Sequence, residues 1–332
     1  MFEEFLTEFI IAGVSSFLLT VILSRCIIPI LIAKKAGQPI REEGPKSHMD
    51  KAGTPTMGGI AFIMAIAIVL TGMSIWFAVN SRQRELIPLA LTMALAVMNG
   101  MIGFYDDFRK LVKKQNEGLK AGPKFLLQTV AAIAYVSLLG AFGYIDTALS
   151  IPFSSKSVEL GFVYYIFAVI LIVGIVNSVN LTDGLDGLAS SVTLVVAIFF
   201  GFVAFSFLDS SVGLISAVTI GAMLGFLIFN WHPAKVFMGD TGSLFLGGIV
   251  SGLAFMINEP MIIIIAGGVY ILEAVSVILQ VSIFKLSHRR IRIFKCAPIH
   301  HHFEGCKWSE VTIVTVFSLT TAALCVLAWF GL

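Results

Sequence analysis

Residues 162–207 read FVYYIFAVILIVGIVNSVNLTDGLDGLASSVTLVVAIFFGFVAFSF. An apolar run over about 162–180 gives way to the polar interruption NSVNLTDGLDG (177–187), and a second apolar run follows over 188–207. A helix needs roughly 20 residues to cross a hydrocarbon layer of about 30 Å, and each run meets that length. The pattern predicts two membrane-spanning helices joined by a short turn that carries two carboxylates and two carboxamides.

The same alternation extends in both directions. Eight more apolar runs lie at roughly 8–31, 58–79, 86–105, 125–145, 212–230, 244–257, 261–284 and 310–331. The run at 244–257 is the shortest and is rich in glycine. With 58% hydrophobic and 13% charged residues in 332, the chain has the composition of a polytopic integral membrane protein of all-α class, not of a soluble one. No segment between runs is long enough for a second folded unit and no internal repeat is evident, so one helical membrane domain is expected over residues 1–332. The acidic start (Glu3, Glu4, Glu8) argues against a cleaved signal peptide and for a retained first helix.

Basic residues orient the bundle. Five Lys and Arg lie between Lys34 and Lys51, six between Arg109 and Lys124, and six between Lys285 and Lys307, with Lys235 on the same side. The alternate loops carry only Arg82, Arg84 and Lys156. The positive-inside rule then places the first set in the cytoplasm and both termini outside. A net charge of +2 gives no reason to expect a nucleic-acid partner, and the four cysteines form no spaced framework.

Five polar motifs fall on that basic side: KAGTPTMGG (51–59), GFYDD (103–107), NSVNLTDGLDG (177–187), VFMGDTGS (236–243) and APIHHHFE (297–304). Asp106 and Asp107 close the third run, and Asn99 shares their helix face seven residues earlier. Asp183 and Asp186 are three apart, as are Asn177 and Asn180. Asp240 lies in GDTGS, where Thr241 or Ser243 can cap the next helix. An ionised Asp at bilayer depth costs about 2.5–3.5 kcal/mol on insertion scales. Carboxylates gathered at adjacent helix ends also repel one another. A divalent cation relieves both, and Mg²⁺ favours a few carboxylates together with phosphate oxygens. Consecutive His300, His301 and His302 are read as a loop that donates imidazole hydrogens to phosphate, one of them able to act as acid or base. Lys51 precedes hydroxyls and glycines suited to closing on a phosphate or packing on a helix start, without the Walker spacing. In the ninth run Glu273 and Gln280 share a face, which should point into the bundle.

Taken together, the five motifs resemble the phospho-N-acetylmuramoyl-pentapeptide transferase family, within the polyprenyl-phosphate N-acetylhexosamine-1-phosphate transferase superfamily. GTPTMGG and APIHHHFE favour this branch over relatives acting on UDP-N-acetylglucosamine. The resemblance runs essentially end to end and implies ten helices in a bacterial plasma membrane, with the active-site cleft facing the cytoplasm. It implies transfer of phospho-N-acetylmuramoyl-pentapeptide from UDP to undecaprenyl phosphate, with release of UMP, Mg²⁺ dependence and a homodimer. It assigns Asp240 to Mg²⁺, Asp106 and Asp107 to the acceptor phosphate, and Asp183 and Asp186 to the nucleotide side. Lys51, Asn180, Asn230, Phe237 and Gln280 match positions lining the uridine and pyrophosphate region, Phe237 as a stacking ring, with Asn177 taken as a further binding residue. His300 is taken as catalytic, and His301 and His302 as substrate-binding. The stretch Gly305-Cys306-Lys307-Trp308-Ser309-Glu310-Val311 departs from the family, which usually reads Gly-Trp directly after the histidines.

Three rival readings make different demands. A prenyltransferase calls for paired DxxxD-like motifs and leaves GDTGS and the histidines unexplained. An ion-coupled transporter calls for carboxylates near the bilayer midplane. A UDP-N-acetylglucosamine transferase of the sister branch differs only in its donor.

Overall fold

The computed structural model describes residues 2–34, 53–113, 118–154 and 156–332. Among the described residues, ten helices are long and apolar enough to cross a membrane. They are α1 (Phe2–Ala33), α2 (Gly59–Val79), α3 (Gln83–Lys113), α4 (Ala121–Ala141), α5 (Phe162–Thr182), α6 (Leu188–Phe207), α7 (Ser210–Asn230), α8 (Gly239–Met256), α10 (Gly268–Leu286) and α12 (Glu310–Trp329). Two short helices, α9 (Ile262–Ala266) and α11 (Ile299–Gly305), precede α10 and α12. A small antiparallel pair, β1 (Ala148–Ser150) with β2 (Ser157–Glu159), caps the α4–α5 connection and adds a minor strand element to the all-helical expectation.

The short eighth run forms a full helix and lies at the centre of the bundle. Leu244, Phe245, Leu246, Ile249 and Leu253 on α8 are all buried, and α8 packs on α3 and α5. Its glycines explain the packing. A Cβ on Gly247 would come within 2.6 Å of Val176 Cα on α5, and one on Gly248 within 2.6 Å of Ala96 Cα on α3. Small residues that let backbones approach replace the hydrophobic drive that helices lack within lipid.

The ninth run was expected to be one helix over 261–284 and is instead broken into α9 and α10 at Gly267. The Gly267 N–H closes the α9 turn on the Ile263 carbonyl at 2.8 Å. Two adjacent glycines are poor helix formers, and the hydropathy of an apolar run does not register such a break.

The two ends of the bundle are chemically distinct. At one end Arg82, between α2 and α3, reaches Glu8 of α1 (2.6 Å), Glu85 of α3 (2.6 Å) and Ser210 at the start of α7. Trp76 Nε1 also donates to Glu8, at 3.1 Å. The opposite end holds the start of α2, the last part of α3, the end of α5 and the start of α8, which carry the polar motifs.

Candidate active site

The site is built where α3 meets the first turn of α8. Gly103 lies against the backbone of Asp240 so closely that a Cβ would overlap the Asp240 carbonyl. Asp106 and Asp107 follow at one helical turn and therefore face the same contact. They do not end α3, as expected, because the helix continues to Lys113. Hydropathy falls at the acidic pair while helical geometry persists.

The α8 N-terminus is capped from another helix. Asp107 Oδ2 accepts from the Thr241 N–H (2.9 Å) and from Thr241 Oγ1 (2.7 Å), and Asp107 Oδ1 accepts from the Asp240 N–H at 3.3 Å. This corrects the expected cap by Thr241 or Ser243, since Thr241 donates to α3 and Ser243 Oγ donates back to the Gly239 carbonyl. A carboxylate facing unpaired N–H groups at the positive end of a helix is the favourable arrangement. Residues 55–59 close the far side. The Phe237 N–H donates to the Pro55 carbonyl (2.8 Å), and the Gly58 and Gly59 N–H groups donate to the Phe237 and Met238 carbonyls (2.9 and 3.1 Å). This part of KAGTPTMGG packs on a helix start, whereas Lys51 lies outside the described residues.

Two lysines enter among the carboxylates. Lys110 Nζ is 2.6 Å from Asp106, 3.1 Å from Asp240 and 3.7 Å from Asp107. Lys124 Nζ, from the first turn of α4, is 2.9 Å from Asp240 Oδ2 and 3.4 Å from Asn180 Oδ1. Asn180 in turn donates to Asp240 Oδ1 (2.9 Å) and to Ser243 Oγ (2.8 Å). Asp106 Oδ1 also accepts from the Leu119 N–H at 2.6 Å. In the sequence both lysines stand out only as part of the basic stretch 109–124 that orients the bundle. Lys110 stands four residues after Asp106, which was a legible pairing. Lys124 arrives from a separate helix and carried no local signal.

Asp106, Asp107 and Asp240 each offer an oxygen within 4.8 Å of the others, a donor set able to hold a metal ion. The donors are all hard oxygens from carboxylates, which suits Mg²⁺. Asp183, just past α5, is half-buried, and its carboxyl is held well above the ordinary range. Burial is the first cause, followed by the negative charges of Asp240, Asp107 and Asp186.

The other expected residues separate into different settings. Asn177 turns away, donating to Gln128 of α4 and to the Val173 carbonyl, both at 2.8 Å. Asn230 is buried between the Ser190 hydroxyl (2.8 Å) and the Val236 carbonyl (3.0 Å). Asp186 is buried, with its Oδ2 3.0 Å from both His232 Nδ1 and the Ala234 N–H, and its own N–H points to Glu310. Phe237 is half-buried beside the start of α8. Gln280 is engaged by backbone, accepting from the Ile293 and Phe294 N–H groups at 3.1 and 3.0 Å. The histidines form short helix α11 after Pro298, not the expected loop. His301 pairs with Glu304, and His302 Nδ1 accepts from the Lys295 N–H at 3.1 Å. His300 is fully buried beside Glu273.

Comparison with known proteins places these features in context. The family model described as "Glycosyl transferase family 4" matches residues 89–258, and "Phospho-N-acetylmuramoyl-pentapeptide-transferase signature 1" matches residues 51–63. A phospho-N-acetylmuramoyl-pentapeptide-transferase of Clostridium perfringens (strain SM101 / Type A) is 45% identical over 325 residues, covering 98% of this chain and 97% of its own length. Its counterpart in Clostridium beijerinckii is 44% identical over 323 residues, covering 96% and 95%. The one in Staphylococcus carnosus is 45% identical over 309 residues, covering 92% and 94%.

Proposed function

The chain belongs to the phospho-N-acetylmuramoyl-pentapeptide-transferase family, and from that premise we propose that it transfers phospho-N-acetylmuramoyl-pentapeptide from UDP to undecaprenyl phosphate with release of UMP. The convergence of Asp106, Asp107 and Asp240 with Lys110, Lys124 and Asn180 carries this reading. Nucleophile and donor are both anionic phosphates, so catalysis consists largely of positioning and charge neutralisation.

Mg²⁺ held by Asp240, with Asp106 and Asp107 beside it, would neutralise donor phosphate oxygens. Lys124 presents an ammonium to the same phosphates, and its contacts to Asp240 and Asn180 keep that ammonium in place. Asp106 orients the lipid phosphate or takes its last proton. Little base strength is needed, because a phosphate monoester loses its second proton near pH 6. The bond to UMP breaks as the lipid oxygen bonds to the same phosphorus, and UMP leaves with the electron pair. Direct attack is favoured over an aspartyl-phosphate, since an Asp carboxylate crowded by two others is a poor nucleophile toward a pyrophosphate. Asp107 acts on structure, holding the first turn of α8 so that Asp240 faces the cleft.

On the nucleotide side, Asp183, Asp186 and Phe237 are proposed to receive the uridine, with Lys51 closing over the pyrophosphate and His301 and His302 contributing to the rim. Asn230 and Gln280 support the loops around that pocket. The basic loops at the site's end support a cytoplasmic active site with both termini outside. Pairing into a homodimer is carried by the family resemblance.

UMP release is the test, measured with undecaprenyl phosphate and either UDP-N-acetylmuramoyl-pentapeptide or UDP-N-acetylglucosamine. Release from the muramoyl donor alone, abolished by chelating Mg²⁺ and in Asp240→Ala, is the expected result. Release only from UDP-N-acetylglucosamine would move the chain's activity to the sister branch, and release from neither would remove the transferase reading.

A further inference from the structure

Glu273 on α10 and His300 on α11 are both 0% exposed. His300 Nδ1 stands 3.0 Å from Glu273 Oε1, in contact but not aligned as a hydrogen bond. Among the described residues, neither oxygen of Glu273 and neither nitrogen of His300 has a hydrogen-bonding partner. Burying such groups unsatisfied costs several kcal/mol, and an apolar pair of similar volume would stabilise the fold better (about 1–4 kcal/mol in measured cases). The other edge of the imidazole rests on the TDGLDG turn, where a Cβ built on Gly184 would overlap Nε2. His301 packs edge-on against the same ring, with centroids 4.1 Å apart. A single imidazole thus joins α10 to the turn that carries Asp183 and Asp186.

We propose that Glu273 is a positioning residue that acts through His300 to hold the TDGLDG turn in the shape that receives the donor's nucleotide. This rests on the transferase reading above. The Glu273 carboxylate faces Nδ1, and the Nε2 edge of the ring is turned to Gly184. The ring fills the space a side chain at 184 would need, and His300 is a wall of the turn instead of a group that meets substrate. A bulkier residue at 184, or an untethered ring, displaces Asp183 and Asp186 together and leaves the α3–α8 carboxylates where they are.

The test is steady-state UMP release by the full chain with Mg²⁺, varying each substrate in turn, for wild type, E273Q, E273L, G184A and E273L/G184A. E273L is expected to raise the donor KM roughly ten- to hundredfold, the range for losing one buried charged contact. The lipid-phosphate KM and kcat should stay within about threefold. E273Q, which keeps an oxygen facing Nδ1, should remain near wild type. G184A should raise the donor KM by itself, and the double variant should be no worse than the poorer single, the mark of two changes acting on one element. A fall in kcat with unchanged donor KM, equal rises in both KM values, or additive effects in the double variant would overturn the proposal. If E273L does not fold, E273D decides, since its carboxylate is one methylene further from Nδ1: a donor-specific rise in KM supports the proposal and an unchanged donor KM overturns it. A wild type without UMP release overturns this proposal and the transferase reading together, whereas a working wild type with an unmoved donor KM in E273L overturns this one alone.

Discussion

Asp240 is where four helices meet in side-chain contact: it sits on α8 and receives Lys110 of α3, Lys124 of α4 and Asn180 of α5. Neighbouring residues that look equivalent in the sequence are therefore not equivalent in the molecule. Asn177 and Asn180 share a three-residue spacing and one helix face, yet only Asn180 reaches the carboxylates, because Asn177 lies about one turn deeper, opposite Gln128 of α4 where Asn180 meets Lys124. Asn180→Ala should lower kcat roughly ten- to hundredfold by removing a charge-assisted contact, while Asn177→Ala should change it by no more than about threefold. Equal losses in the two, measured by UMP release, would contradict this separation. Lys124→Met removes an ammonium from the place where phosphate charge collects and should cost about 10²–10³ in kcat, as loss of one oxyanion donor does elsewhere. A Lys124→Met enzyme with near-normal turnover would show that the lysine is only a structural counter-ion. Neither distinction was legible beforehand, since spacing tells which residues share a helix face but not which neighbour that face meets.

At the scale of elements, the α3–α8 contact is what turns a set of acidic motifs into one site. Gly103, Gly248 and the tertiary cap from Asp107 are three parts of the same contact. Gly103→Ala should force the helices apart, lowering stability by about 1–3 kcal/mol as overpacking does, and reduce activity more than stability explains. A Gly103→Ala protein that melts and turns over like wild type would refute the close contact. Much of the element level could be read in advance. The ten apolar runs correspond to ten helices, among the described residues, long and apolar enough to cross a membrane, because lipid imposes one strong rule on length and polarity. The break at Gly267, the extension of α3 to Lys113 and the helical form of the histidine segment could not, because each depends on hydrogen bonds between backbones rather than on hydropathy. The cap of α8 is hidden for a related reason: GDTGS holds its own hydroxyls, but the acceptor comes from Asp107 on another helix.

At the scale of the whole molecule, the Arg82 network and the carboxylate cluster mark opposite ends of one helical bundle. The proposed orientation, argued from the basic loops, has the carboxylate end facing the cytoplasm. Cys306 is exposed at that end beside α11. In a variant carrying it as the sole cysteine (Cys26→Ser, Cys296→Ser, Cys325→Ser), a membrane-impermeant maleimide should leave intact cells unlabelled and label only after permeabilisation. Labelling of intact cells would invert the assigned orientation. The central claim concerns the ion, and it can be tested without turnover. Binding of Mn²⁺, a paramagnetic substitute for Mg²⁺, would be followed by electron paramagnetic resonance on the purified chain, with Asp240→Asn and Asn177→Ala alongside. The account predicts that Mg²⁺ competes with Mn²⁺, that Asp240→Asn weakens binding by at least roughly the ten- to hundredfold known for losing an outer contact to a metal site, and that Asn177→Ala leaves binding as in wild type. Wild-type affinity retained in Asp240→Asn would contradict it.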